Sequence, residues 1–239
     1  MQKERVLVTG ASGFIGSNLL DYLLEKDYEV IGLSRQKNLP KIHPHLTWIR
    51  ALEELKHDRI DYVVNLAGES IAQGRWTDAR KQKLIASRVE TTTILYQYLA
   101  KRKIQPKCII SGSAVGYYGI DPTEQWTECC NEQSASQSIF MSDLCQKWEQ
   151  SARQDTSQNT KIIRLGVVFG RGAGILPQML FPIKMNLCGR IGSGRQPVVW
   201  VHIQDVLRAI EFLMLHETTA QVFNVISPEK VTQSAFAQT

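Results

Sequence analysis

Short apolar runs alternate along this chain with longer stretches whose apolar residues recur at helical spacing. The runs fall at 6–8, 30–33, 62–66, 108–110, 162–168 and 222–226, and their length and branching predict buried strands. Helices are predicted between them over 17–26, 78–103, 138–153 and 204–216. The second of these places Leu84, Ile85, Val89, Thr92, Leu95, Tyr96 and Leu99 on one stripe, with Thr77-Asp78 as its N-cap. Strands alternating with helices predict an α/β fold, a parallel sheet covered on both faces. Beyond Phe169 the rhythm breaks. Glycine and proline crowd 170–200 with little periodicity, which predicts a substrate-facing insertion on a core spanning 1–169. A helix and strand over 201–227 then return to that core, and a new helix begins near Thr232.

The first strand runs into Thr9-Gly10-Ala11-Ser12-Gly13-Phe14-Ile15-Gly16 and then into the first helix. Glycines at this spacing between strand and helix point to a dinucleotide pyrophosphate. Gly10 permits the tight turn, Gly13 removes a side chain that would block the ligand, and Gly16 lets helix pack closely on strand. The phosphates would sit on the helix N-terminus, beside Ser12, Phe14 and Ile15, where free N–H groups favour negative charge. The tip of the second strand chooses between dinucleotides. An acidic side chain there would hold ribose hydroxyls, and an arginine would accept a 2′-phosphate. This strand ends in Ser34-Arg35 with no Asp or Glu, so NADP(H) is expected over NAD.

Composition narrows the picture without redirecting it. The 239 residues are 43% hydrophobic and 21% charged, ordinary for a globular protein. The net charge of +5 is spread in pieces such as Lys101-Arg102-Lys103, without a basic block interleaved with aromatics, and gives no support for nucleic-acid binding. Five cysteines with no C-x-x-C spacing suggest neither a disulfide framework nor a zinc site, and fit a reducing compartment. No apolar run reaches membrane-spanning length and no secretory leader is apparent, so a cytoplasmic location is expected.

Further motifs give the chain a family likeness. Besides the glycine turn they are Asn65-Leu66-Ala67-Gly68-Glu69, Ser87-Arg88, Ser111-Gly112-Ser113-Ala114-Val115-Gly116-Tyr117-Tyr118-Gly119 and Trp148-Glu149. Arg164-Leu165-Gly166-Val167-Val168, Gly192-Ser193-Gly194-Arg195-Gln196 and Trp200-Val201-His202-Ile203-Gln204-Asp205 continue the series. Over nearly its whole length the chain resembles an atypical extended short-chain dehydrogenase/reductase of the nucleotide-sugar epimerase-like branch, within the NAD-dependent epimerase/dehydratase superfamily. The resemblance implies a Rossmann-type doubly wound parallel sheet with a small C-terminal substrate subdomain. It implies that Leu66, Ala67, Gly68 and Glu69 line the cofactor, that Arg88 reaches it, and that Ser113 is the active-site serine. A hydroxyl at Ser113 could donate to a substrate oxygen whose charge rises during the reaction.

The chain departs from the parent pattern in two places. The helix expected to carry a Tyr-x-x-x-Lys pair has Met141 and Cys145 near those positions, or Phe140 and Leu144 one residue earlier, and neither pair moves a proton. Replacement candidates are Tyr117, Tyr118, Arg164, Arg195 and His202, with Tyr118 paired to Ser113 as the candidate catalytic set. His202, in an apolar run, is expected to be a core histidine. The second departure is length. Relatives continue for roughly one more small subdomain, so Phe223 and Phe236 are expected to be exposed or used in a homodimer contact.

Two functions remain open on these residues. One is an NADP(H)-binding epimerase-like oxidoreductase acting on a small, polar or sugar-derived molecule. The other is a cofactor-binding or sensing protein whose catalytic pair has been lost.

Overall fold

Alternation with a period of two divides the first strand between two cores. Val6 and Val8 face one layer of helices while Leu7 faces the other, and all three are fully buried. The same split recurs in each central strand, so the sheet carries helices on both faces. A computed structural model describes residues 3–36, 39, 41–72, 74–126, 129–171, 174–176, 179 and 192–238. Its elements in chain order are β1 (Arg5–Thr9), α1 (Phe14–Glu25), β2 (Glu29–Leu33), β3 (Leu46–Ile49), β4 (Tyr62–Asn65) and α2 (Asp78–Lys101). There follow β5 (Cys108–Ala114), α3 (Phe140–Ala152), β6 (Thr160–Leu165), β7 (Val167–Phe169), β8 (Trp200–His202), α4 (Ile203–Leu215), β9 (Val222–Val225) and α5 (Gln233–Gln238).

Seven strands pair in the order β3-β2-β1-β4-β5-β6-β9, every pairing parallel. This is a Rossmann-type doubly wound sheet, as the alternation of runs predicts. One core joins α1 and α4 to the sheet through Leu19, Leu20, Leu23, Val206, Leu207 and Ile210. The other joins α2 through Leu95, Tyr96 and Leu99 to Leu7, Val63 and Ile109. Each such side chain, fully buried, contributes about 1.5–3 kcal/mol of transfer free energy. Chain order reverses between β1 and β4, the place where open parallel sheets form a ligand crevice at their carboxyl ends.

The structure corrects several expectations. The run 162–168 is two strands: the chain breaks at Gly166, and β7 leaves the main sheet to pair in parallel with β8. A Cβ at Gly166 would lie 2.9 Å from the Val199 carbonyl oxygen, so this crossing needs glycine. The short edge strand β3 was not anticipated. Helix α1 begins at Phe14 rather than residue 17, directly on the glycine turn. His202 is exposed, not buried: it is the N-cap of α4, its Nδ1 accepting from the Gln204 N–H at 3.3 Å. Phe223 and Phe236 are half-buried rather than exposed: Phe236 stacks on Phe169 at 4.9 Å between ring centroids, and Phe223 packs against the main core.

Much of the predicted insertion, including 180–191, lies outside the described residues. Its end at 192–198 is tied to the last segment by Ser234 N–H to Gly194 O at 2.9 Å and Gln233 N–H to Gln196 O at 3.0 Å. No helix among the described residues is long and apolar enough to cross a membrane.

Candidate active site

The crevice between β1 and β4 is built from backbone. Gly10 has φ +65°, and a Cβ there would meet the Leu66 carbonyl oxygen at 2.7 Å, so the turn after β1 and the end of β4 touch main chain to main chain. At Gly16 a Cβ would lie 2.3 Å from the Gly10 carbonyl oxygen, which seats α1 against the turn. Gly13 is the N-cap of α1 and contributes no capping side chain. The first turn of α1 therefore presents N–H groups at the mouth of the crevice, as a pyrophosphate requires. Phe14 flanks that turn, its ring filling the space beside Gly170 and Gly174, and Ile15 packs against the core behind it.

At the tip of β2, Ser34 is buried and Arg35 exposed. Ser12 Oγ and Ser34 Oγ lie 2.6 Å apart, and Ser34 Oγ also accepts from the Gln36 N–H at 3.2 Å. The two hydroxyls brace the glycine turn against the tip of β2 and leave Arg35 beside it, facing solvent. Among the described residues no carboxylate bonds to either hydroxyl. These residues fit a dinucleotide, and the arginine fits a phosphate on its ribose.

The far wall of the crevice hangs from Asn65. Thr9 Oγ1 donates to Asn65 Oδ1 at 2.7 Å, while Asn65 Nδ2 donates to Thr92 Oγ1 at 2.8 Å and Ser111 Oγ at 3.3 Å. The Leu66 and Ala67 N–H groups both reach Thr9 Oγ1 at 3.2 Å, which fixes the loop expected to line the cofactor. Arg88 lies under that loop. Its guanidinium would be 3.0 Å from a Cβ on Gly68, donates to the Glu69 carbonyl oxygen at 2.9 Å, and sits 5.2 Å from the Trp148 ring centre. Burial lowers its pKa from the ordinary arginine value. Glu69 turns away to Arg80 at 3.1 Å, which lowers its carboxyl pKa.

The opposite half of the carboxyl edge is built from side chains. Register sets Ser113 on β5 beside Arg164 on β6, and Arg164 beside Asn224 on β9. Glu149 reaches the same row from α3. Ser113 Oγ donates to Glu149 Oε1 at 2.7 Å, and Arg164 grips both oxygens, Nε to Oε1 at 2.8 Å and Nη2 to Oε2 at 2.9 Å. The Arg164 and Glu149 side chains are each 3% exposed, so this pair stands out of water. Burial opposes the charge on Arg164, but Glu149 and the Tyr118 hydroxyl outweigh it and hold its pKa above the ordinary value.

Arg164 Nη1 donates to Tyr118 OH at 2.9 Å, and Tyr118 OH donates on to Asn224 Oδ1 at 2.7 Å. Tyr117 lies flat on the guanidinium, ring centre 3.4 Å from Arg164 Cζ. Helix α3 brings Met141 close to Gly116, and Cys145 beside Ser113 and Ala114. Burial first, then the Glu149 carboxylate, pushes the Cys145 thiol up to about 11, so it stays neutral.

The model of the NAD-dependent epimerase/dehydratase family matches residues 6–225, which takes in the glycine turn, the crevice and the charged row. The chain belongs to that family. Among curated members, an epimerase family protein of Staphylococcus saprophyticus is 34% identical over 99% of this chain and 79% of its own length. Its counterpart in Staphylococcus epidermidis is 32% identical over the same shares. The solved human epimerase family protein SDR39U1, isoform 2, with NADPH superposes with a TM-score of 0.85 at 34% identity, covering 98% of this chain and 78% of the human one. A nucleoside-diphosphate sugar epimerase of Corynebacterium glutamicum superposes at 0.79 with 26% identity, over 99% of this chain and 49% of that one.

Within this epimerase-family fold the residues expected at the site fall into three groups. Gly10, Ser12, Gly13, Phe14, Ile15, Gly16, Ser34, Arg35, Leu66, Ala67 and Gly68 gather along the carboxyl ends of β1, β2 and β4. Arg88 and Glu69 hold the loop from beneath and beside it. Ser113 and Tyr118 come together through Glu149 and Arg164 rather than by direct contact. Asn65, Thr92 and Glu149 had no role assigned from sequence. A buried polar residue at the end of an apolar strand was the available signal for Asn65.

Proposed function

We propose that this protein is an NADP(H)-dependent oxidoreductase of epimerase-like type, acting on a small polar or sugar-derived molecule in the cytoplasm. The observation that carries the cofactor choice is the tip of β2, where exposed Arg35 stands beside the braced Ser12–Ser34 pair with no carboxylate. The human relative solved with NADPH supports the same choice. The cofactor would lie along the glycine turn and the Leu66-Ala67-Gly68 loop, and would supply hydride chemistry when bound. Ser113, its hydrogen directed at Glu149, is the residue that accepts from a hydroxyl of the substrate. Tyr118 spends its hydroxyl on Arg164 and Asn224, which supports a positioning role. The Corynebacterium relative supports a sugar-derived substrate, and the unpaired thiols of Cys108, Cys129, Cys130 and Cys145 support a reducing compartment.

Titration of the protein with NADPH and with NADH, followed by nicotinamide fluorescence, tests the cofactor. Tighter NADPH binding is expected, and tighter NADH binding would overturn the choice. A panel of carbonyl compounds and nucleotide sugars then tests turnover. The second reading, a cofactor-binding sensor, is favoured by Met141 and Cys145 on α3, neither of which moves a proton at neutral pH. Binding without turnover on every panel member would select it.

A further inference from the structure

A group that hands a proton to a substrate oxygen needs an O–H not already committed elsewhere, and a means of carrying the charge left behind. Ser113 fails the first condition. Arg164 keeps its proton in any protein environment and donates to both carboxyl oxygens of Glu149. The Ser113 hydroxyl hydrogen is directed at Glu149, so Ser113 offers the site only its lone pairs. Tyr118 fails as well, since its hydroxyl hydrogen goes to Asn224.

Tyr117 meets both conditions. It lies in the single turn that follows β5, four residues after Ser113, at the carboxyl edge of the sheet beside the charged row. Its side chain is half-buried, with no hydrogen bond from its hydroxyl to any described residue. Its ring rests on the Arg164 guanidinium at 3.4 Å and meets Tyr118 edge-on at 5.4 Å. A cation on the ring face fixes the ring and balances negative charge on the phenol.

We propose that Tyr117 is the hydroxyl that exchanges a proton with the substrate, with Ser113 as acceptor beside it and Arg164 as the charge beneath. The proposal rests on the oxidoreductase reading above. In the reducing direction the Tyr117 O–H bond breaks and an O–H bond forms on the substrate oxygen. That oxygen would take its electron pair from the carbonyl π bond, and the carbon would receive the hydride that a nicotinamide cofactor supplies when the glycine turn and the Leu66-Ala67-Gly68 loop hold it. The phenolate left behind is neutralised by solvent, and the oxidising direction reverses each bond change. Glu149 acts through others: it orients Ser113 and holds Arg164 under the ring.

The test labels the intact protein with N-acetylimidazole, which acetylates free phenols, and reads each site by peptide mass spectrometry with and without NADPH. NADPH binding is followed separately by fluorescence. Tyr117 is expected to be acetylated and Tyr118 spared. NADPH at ten times its dissociation constant should slow Tyr117 labelling about tenfold. An unlabelled Tyr117, or unslowed labelling while NADPH is demonstrably bound, would overturn the proposal. Failure of NADPH to bind would instead remove the reading on which it rests. Where a panel carbonyl is turned over, Tyr117→Phe should cost ~10²-fold or more in kcat at unchanged NADPH affinity. Full activity in that variant would also overturn it.

Discussion

The two halves of the carboxyl edge are built by different means. Around β1 and β4 the crevice is main chain against main chain, its shape set by missing side chains at Gly10, Gly13 and Gly16. Across β5, β6 and β9 it is side chain against side chain, a buried row from Ser113 through Glu149, Arg164 and Tyr118 to Asn224. A backbone cradle suits a ligand whose phosphates are constant and want N–H donors. A side-chain row can be altered residue by residue while the fold persists. The crevice half is therefore shaped by backbone, while the other half draws its polar groups from β5, β6, β9, α3 and the turn after β5.

Breaking the charged row gives the largest expected effect. Glu149→Ala strands Arg164 in a site that is 3% exposed and should cost about 3–5 kcal/mol in urea unfolding. Glu149→Ala combined with Arg164→Met should cost less than Glu149→Ala alone, because no buried charge is then left unpaired. Additive losses would mean that the two residues do not act as a unit. Either outcome sharpens the contrast, since NADPH affinity belongs to the other half of the edge.

The backbone half was legible in the sequence because glycine spacing is local: turn, phosphate seat and helix start all lie within eight residues. The side-chain half was legible only in its parts. Ser113 and Glu149 are 36 positions apart, and Arg164 is another 15 from Glu149. The register of β5 with β6 sets Ser113 beside Arg164, and the packing of α3 brings Glu149 to both. His202 misled for a related reason. Its neighbours Val201 and Ile203 are buried, and the strand's period of two turns the residue between them outward. The run 162–168 looked continuous because both sides of Gly166 are apolar, and nothing local announces that β7 changes sheet.

A smaller effect tests the cofactor half from its rim. Arg35→Ala removes an exposed charge that makes no hydrogen bond or ion pair with a described residue, so stability should stay within about 0.5 kcal/mol. Loss of a charged hydrogen bond to a ribose phosphate should weaken NADPH by about 1.5–3 kcal/mol, roughly 10- to 150-fold. NADH affinity should remain unchanged. Equal weakening of both dinucleotides would move the specificity away from β2 and into the glycine turn.

The smallest effect separates the halves by pH. Cys145 beside Ser113 and Cys108 at the start of β5 are both pushed up to about 11, chiefly by burial, from the ordinary thiol value of about 9. A thiol whose folded pKa is raised ionises first in the unfolded chain, so its stabilising contribution is whole below pH 9 and fades as pH climbs toward 11. At pH 10 each thiol should have given up about 1 kcal/mol. Urea unfolding at pH 8 and pH 10 measures the fall, and Cys108→Ala or Cys145→Ala should each make it shallower by about that amount. Cys145 also faces Glu149, whose carboxylate adds to the burial, whereas Cys108 faces the ammonium of Lys161, which opposes it. Glu149→Gln should therefore reduce the Cys145 share and leave the Cys108 share intact. Equal changes at both thiols would mean that the charge on Glu149 is not felt locally, and that the side-chain row is held by shape alone.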